Sequence, residues 1–201
     1  MIETLSTEDV LTVHEVLAQD FAAADDPITP SGVKSMHLLE SAVSRQYAGF
    51  HDRLKYDNAV SNASSLAYGI CLNHPFHNGN KRTSLVALLC HLDKNDLTFE
   101  DSTTQDDLYD FMLKVAKHAF ANRASSKENV SDVEVAEMAK WIRKRSRRVE
   151  KGERTITFRQ LKATLIAHGF FLENPKGNTI DLVRYEPRFS WFGLRSATER
   201  L

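Results

Sequence analysis

Apolar positions recur along most of this chain at the three-and-four spacing of a helix. The breaks between the runs fall where proline, glycine and polar residues cluster. Val10, Val13, Leu17 and Phe21 form the first stripe. It starts behind Ser6, a candidate N-cap, and Asp9 gives it an acidic first turn that suits the helix dipole. "DDPITPSG" (25–32) breaks the pattern, and a short helix is expected over 36–43. "YAGFHDRLKYDN" (47–58) has no clean period and reads as loop or a small hairpin. Val60, Ala63, Leu66, Ala67 and Ile70 mark a helix over 58–71, with small residues that permit close packing. That helix must stop near Asn73, because the residue before Pro75 is pushed out of the α region. Leu85, Leu88, Leu89 and Leu92 mark another over 81–94, and Leu108, Phe111, Met112 and Val115 one over 104–120. Ser131 and Glu134 have the spacing of a capping box for a helix that carries Val135, Met138 and Ile142.

The pattern changes near residue 143. From Lys140 to Arg154 there are eight basic residues against two acidic ones, Glu150 and Glu153. "FRQLKATLIAHGF" then reads as one helix closed by Gly169, and "FFLENPKGNTIDLVRYE" as two strands around a Pro-Lys-Gly-Asn turn. The pattern therefore predicts a mostly α domain over 1–145, a basic linker, and a small α+β module over 150–201. At roughly 50 residues, that module is too small to be very stable alone.

Composition adds limits. With 42% hydrophobic and 26% charged residues, the 201-residue chain is ordinary for a soluble globular protein. A net charge of −1 gives no global field toward nucleic acid or a membrane. No apolar run approaches the ~18 residues of a membrane span. "MIETLSTEDV" lacks the basic and apolar regions of a signal peptide. Cys71 and Cys90 lie in apolar helical patterns, so no disulfide framework is implied and a cytoplasmic location is expected.

The chemistry concentrates in "HPFHNGNKR" (74–82), the connection between two apolar helices. Asn78, Gly79, Asn80, Lys81 and Arg82 sit where a helix begins, and free backbone N–H groups there favour an anion. Gly79 permits a turn and a close approach of ligand. Two cations are unfavourable at a helix N-terminus unless a polyanion is bound there, and arginine grips phosphate as a fork. His74, at the other end of the loop, is suited to take a proton from a hydroxyl at neutral pH. Phosphate on one side and a base on the other point to phosphoryl or nucleotidyl transfer to a hydroxyl.

"HPFHNGNKR" resembles the signature of Fic/Doc proteins, H-P-F-x-[D/E]-G-N-[G/K]-R, at eight of nine positions with x free. The resemblance spans residues 5 to about 145, and Lys81 makes the run similar to the Doc (death-on-curing) branch. It implies that His74 deprotonates the target hydroxyl and that Phe76 is buried and pins the loop. It implies further that Gly79 and Asn80 form the anion nest and that Lys81 and Arg82 neutralise phosphates. In the Doc branch the γ-phosphate of a nucleotide triphosphate such as ATP is transferred to a protein Ser, Thr or Tyr hydroxyl. The resembling toxin acts on elongation factor Tu and halts translation. AMP transfer, the Fic-type reaction, is the alternative, as is a non-catalytic module that binds a nucleotide or a partner.

Two positions depart from the pattern. Asn78 stands where the family has an acidic ligand for Mg²⁺, and an amide lacks the charge that this hard cation prefers. Leu85 stands where many Fic proteins have a second arginine, a loss expected in the Doc branch. "TLSTED" (4–9) ends wrongly for the inhibitory motif of regulated Fic proteins, so inhibition would come from a separate antitoxin chain.

Competing readings exist for several residues. His77 occupies the variable position and reads as a solvated loop residue. Cys71, His74, His77, Cys90 and His91 are zinc-type ligands clustered in sequence, yet apolar helices commonly just bury cysteine. The basic run 140–154 is more often a solvated helix end than a nucleic-acid contact. The module behind it resembles the HicA-type double-stranded-RNA-binding fold, but its hairpin offers Asn178 and Thr179 in place of a catalytic histidine. His168 reads as structural.

Overall fold

A computed structural model describes residues 2–123, 129–150, 158–176, 179–188 and 195–200. The chain divides into two compact units, Met1–Val149 and Glu150–Leu201.

The first unit is mostly helical: α1 (Thr7–Asp20), α2 (Met36–Ser44), α3 (Ala59–Asn73), α4 (Asn80–Lys94), α5 (Gln105–Ala116) and α6 (Val130–Arg143). Ser6 begins α1 with a full capping box: its hydroxyl accepts the Asp9 N–H, and the Asp9 carboxylate accepts the Ser6 N–H. Between α2 and α3 lies a two-strand hairpin, β1 (Gly49–Phe50) and β2 (Arg53–Leu54). β3 (Leu97–Phe99) pairs antiparallel with β4 (Ser146–Arg148), Leu97 facing Arg148.

α3 is the axis of this unit. It packs on α2, α4 and α6, and from Asn62 to Cys71 each of its residues is buried. One side gives Ala63 and Ala67 to a cluster with Leu88, Leu92, Phe111, Met138 and Ile142. The other gives Leu66 and Ile70 to a cluster with Leu5, Val10, Leu39, Phe76 and Ala87. Packed on both sides, with its buried Asn62, Ser64 and Ser65 bonded to backbone carbonyls, the helix is held firmly in place. Its C-terminal end delivers His74.

Several expected elements come out differently. The helix read over 104–120 ends at Ala116; His118 takes a left-handed φ of 54°, and a 3₁₀ turn covers Ala119–Arg123. Ser131 and Glu134 do not form a capping box. Asn129 caps α6 through the Ser131 N–H, and Glu134 is buried, its Oε2 accepting the Tyr68 hydroxyl at 2.8 Å and facing His118 Nδ1 at 2.9 Å. A carboxylate that finds partners inside the fold is not spared for the helix end. Residues 146–148, read as part of a basic linker, are strand β4. Of the basic run itself, Arg147 pairs with Glu100 and Asp101, and Arg145 lies over the Trp141 ring at 4.3 Å.

The second unit holds α7 (Phe158–Ala167) and a three-stranded antiparallel sheet in the order β5 (Phe170–Lys176), β6 (Thr179–Arg188), β7 (Arg195–Arg200). Phe170 faces Arg184 across β5 and β6. Gly169, at φ +80°, closes the helix as expected, and His168 Nδ1 donates to Thr164 O. The third strand was not anticipated. The middle of the expected turn, residues 177 and 178 including Asn178, lies outside the described residues. Residues 151–154 of the basic run lie outside them too.

Candidate functional site

α3 ends where Pro75 requires it to. His74 is its C-cap, in the left-handed region at φ 50°, ψ 56°, a conformation uncommon for a residue with a Cβ. The chain then turns inward so that Phe76 is almost wholly buried, 1% exposed. Asn80 holds that turn. Its Oδ1 accepts the Phe76 N–H and its Nδ2 donates to the Phe76 carbonyl, both at 2.9 Å. The segment around Val33 lies along the loop: Val33 and Phe76 form an antiparallel bridge. Pro75 O accepts the N–H groups of Lys34 and Ser35, and Gly32 O accepts that of His77.

Gly79, at φ +74°, is the N-cap of α4, and no side chain caps the helix. The N–H groups of its first turn are thus left to water or a ligand, at the positive end of the dipole. A Cβ on Gly79 would also meet Ile28 side-chain atoms at 3.0 Å.

These ends open into a cavity of about 580 Å³. The loop and α4 contribute His74, Gly79, Asn80, Lys81, Arg82 and Leu85 to its wall. Phe21, Ala24, Asp25 and Asp26 line it from the end of α1 and the connector beyond. α5 adds Gln105, Tyr109, Met112 and Leu113. One side of the wall therefore carries Lys81, Arg82 and helix-end donors, and the other mixes the apolar Phe21, Ala24, Met112 and Leu113 with Asp25, Asp26, Gln105 and Tyr109. Arg82 is held in place: it donates to Asp26 O at 2.8 Å and to Asp26 Oδ2 at 3.0 Å, with Phe21 under its guanidinium at 4.8 Å. Two of its five N–H groups are used there, and the others remain for an anion. Leu85 adds an apolar side chain to the same wall.

Of the sequence-derived residues, His74, Gly79, Asn80, Lys81 and Arg82 thus meet at one site, while Phe76 lies in the core beneath the loop. Asn78 is not in the cavity wall. Its Nδ2 donates to Thr29 O at 3.1 Å and its Oδ1 accepts the Gly79 N–H at 2.7 Å, so both ends of the amide hold the loop. A neutral amide that already accepts a backbone N–H is a poor fit for Mg²⁺, which is held through charged carboxylates. Among the described residues no group of three or more His, Cys, Asp or Glu could hold a metal ion. Of the zinc-type residues, His91 is buried on Asn62 Oδ1 at 2.9 Å and Cys71 is in the core. His77 is exposed.

Sequence reasoning missed His14. It occupies the inner face of α1, 2% exposed, and its ring stacks on Phe76 with centroids 3.9 Å apart. A histidine one position from Val13 was masked by the apolar stripe; its spacing of four from Val10 was the available signal.

A helical unit with a base and an uncapped, cation-bearing helix end on one cavity has the equipment of a group-transfer site. Residues 4–92 match the family model of the Fic/DOC family. That match takes in α1 to α3, the whole loop and α4 as far as residue 92, and marks this part of the chain as similar to the Fic/DOC family. No curated protein matches the chain. Among the described residues no helix is long and apolar enough to cross a membrane.

Proposed function

We propose that the first unit transfers a phosphate group from a nucleotide triphosphate such as ATP to a Ser, Thr or Tyr hydroxyl of a target protein, as the Doc branch does. The observation that carries this reading is the shared cavity: His74 stands on the same wall as Gly79, Asn80, Lys81 and Arg82. His74 takes the hydroxyl proton. The target oxygen attacks the γ-phosphorus as the bond to the β-bridging oxygen breaks, and the diphosphate leaves with its charge held by Lys81, Arg82 and the α4 N–H groups. The apolar side chains of Phe21, Leu85, Met112 and Leu113 in that cavity suit a nucleotide base. A translation factor such as elongation factor Tu is the target class that the Doc likeness supports, with a separate antitoxin chain as inhibitor.

The reading is tested by incubating the protein with lysate and ATP labelled at either the α or the γ phosphate. Label from the γ position on a protein band, abolished by His74→Ala, is expected. Label from the α position would replace the reading by AMP transfer. Neither label would leave a binding module. A His74→Ala protein that labels as well as wild type would sink both transfer reactions.

A further inference from the structure

We propose that His14 is a positioning residue of this site: fixed in one neutral tautomer, it bolts the 32–35 segment and the first turns of α4 to the loop that carries His74. The inference rests on the reading of that loop as the transfer site.

The tautomer follows from the partners. Gly32 N–H points at His14 Nε2 at 3.0 Å. A backbone N–H can only donate, so Nε2 must offer its lone pair. In a neutral imidazole the proton is then on Nδ1, which stands 3.0 Å from the Thr83 hydroxyl and donates to it. The other tautomer would set N–H against N–H in a position 2% exposed. So would the imidazolium. The groups that face the ring from other elements are Gly32 of the connector, Thr83 of α4 and Phe76 of the loop, none of them titratable. Burial holds the ring toward its neutral form, and the carboxylate of Glu15 on its own helix acts weakly the other way.

Each contact of the ring bears on the site. Gly32, fixed by its N–H, uses its carbonyl to hold the His77 N–H at 3.1 Å. Phe76 is gripped between the ring, at an interplanar angle of 11°, and the double clamp from Asn80. Thr83 follows Arg82 directly, so the same ring sets where Lys81 and Arg82 begin. One imidazole thus fixes the loop at Phe76 and His77 and the helix that carries the cations. Transfer depends on that relation, since a misplacement of about 1 Å can cost roughly 100-fold in rate.

The experiment is heteronuclear NMR on the full chain, with His14→Phe and His14→Gln. The wild type is expected to show His14 as the Nδ1–H tautomer, with its titration shifted below the ordinary histidine value near 6.5. In His14→Phe, which keeps the stack, the amides of Gly32, Lys34, Ser35 and His77 should exchange about tenfold faster while α3 keeps its protection. The transfer rate should fall roughly 100-fold with the nucleotide KM little changed, and His14→Gln, whose amide oxygen can again accept the Gly32 N–H, should recover part of both. An Nε2–H tautomer, ordinary titration, or unchanged exchange would overturn the proposal. So would a folded His14→Phe that transfers at the wild-type rate. A wild type that transfers nothing refutes the transferase reading, and the tautomer and exchange results then decide the positioning claim by themselves.

Discussion

Asn78 donates from Nδ2 to Thr29 O and receives the Gly79 N–H on Oδ1. Only an amide can do both, because a carboxylate has no proton to give. Asn78→Asp would set an oxygen against the Thr29 carbonyl. It should lower stability by about 1–3 kcal/mol in urea unfolding; an unchanged midpoint would show that the Thr29 contact counts for little. His91 makes a second prediction at this scale. Asn62 Nδ2 donates to Gln46 O and Tyr56 O, so its Oδ1 is left to accept from His91 Nε2. Burial lowers the His91 pKa from 6.5 to about 4. Between those values the unfolded chain binds more protons than the folded one, so stability is fully present above pH 6.5 and declines as pH falls toward 4. The total decline from this residue is about 3 kcal/mol. Urea midpoints across that range should fall in wild type and fall less in His91→Gln. A flat wild-type profile would refute the assignment. His14 adds in the same direction.

α2 and α3 approach each other closely at Gly69. A Cβ there would stand 2.8 Å from Arg45 Cδ, 3.0 Å from Ala42 Cα and 3.1 Å from Ala42 Cβ. Arg45 can swing aside, but the Ala42 backbone cannot without moving a helix. Gly69→Ala is therefore expected to cost about 1–3 kcal/mol despite alanine's better helix propensity. Thermal melting followed by circular dichroism checks this, and a more stable variant would refute the close-packing account. The element scale also shows where pattern reading stops. The stripe over 58–71 and the proline behind it located α3 to within two residues, because both signals are local. The Ser131–Glu134 spacing misled, because Glu134 has partners 66 residues and 16 residues away, in Tyr68 and His118.

In the whole molecule, both apolar clusters lie within Met1–Val149. A chain ending at Val149 should therefore retain a cooperative thermal transition and helical circular dichroism. A non-cooperative melt would mean that the first unit needs residues beyond 149. β3 and β4 bear on where to cut. Their pairing joins Leu97 to Arg148, so a chain shortened to residue 145 would lose a strand and leave β3 with an unpaired edge. Nothing in a basic run of arginines signals a strand, since its pairing is with a segment 47 to 51 positions earlier and not with its neighbours.

The amino-acid sequence by itself determined the helices of the first unit and the loop that joins two of them. It also determined the residue types of the candidate site, from His74 to Arg82. Those follow from periodicity, capping and one nine-residue run, each readable over a few turns of chain. Only the tertiary structure decided what the side chains do there: Asn80 clamps Phe76, Asn78 closes the loop, Asp26 holds Arg82, and His14 lies under the motif. These contacts join residues as far apart as His14 and Thr83. Hydrogen-bond partners are chosen by proximity in space after burial, and spacing along the chain carries no record of that choice.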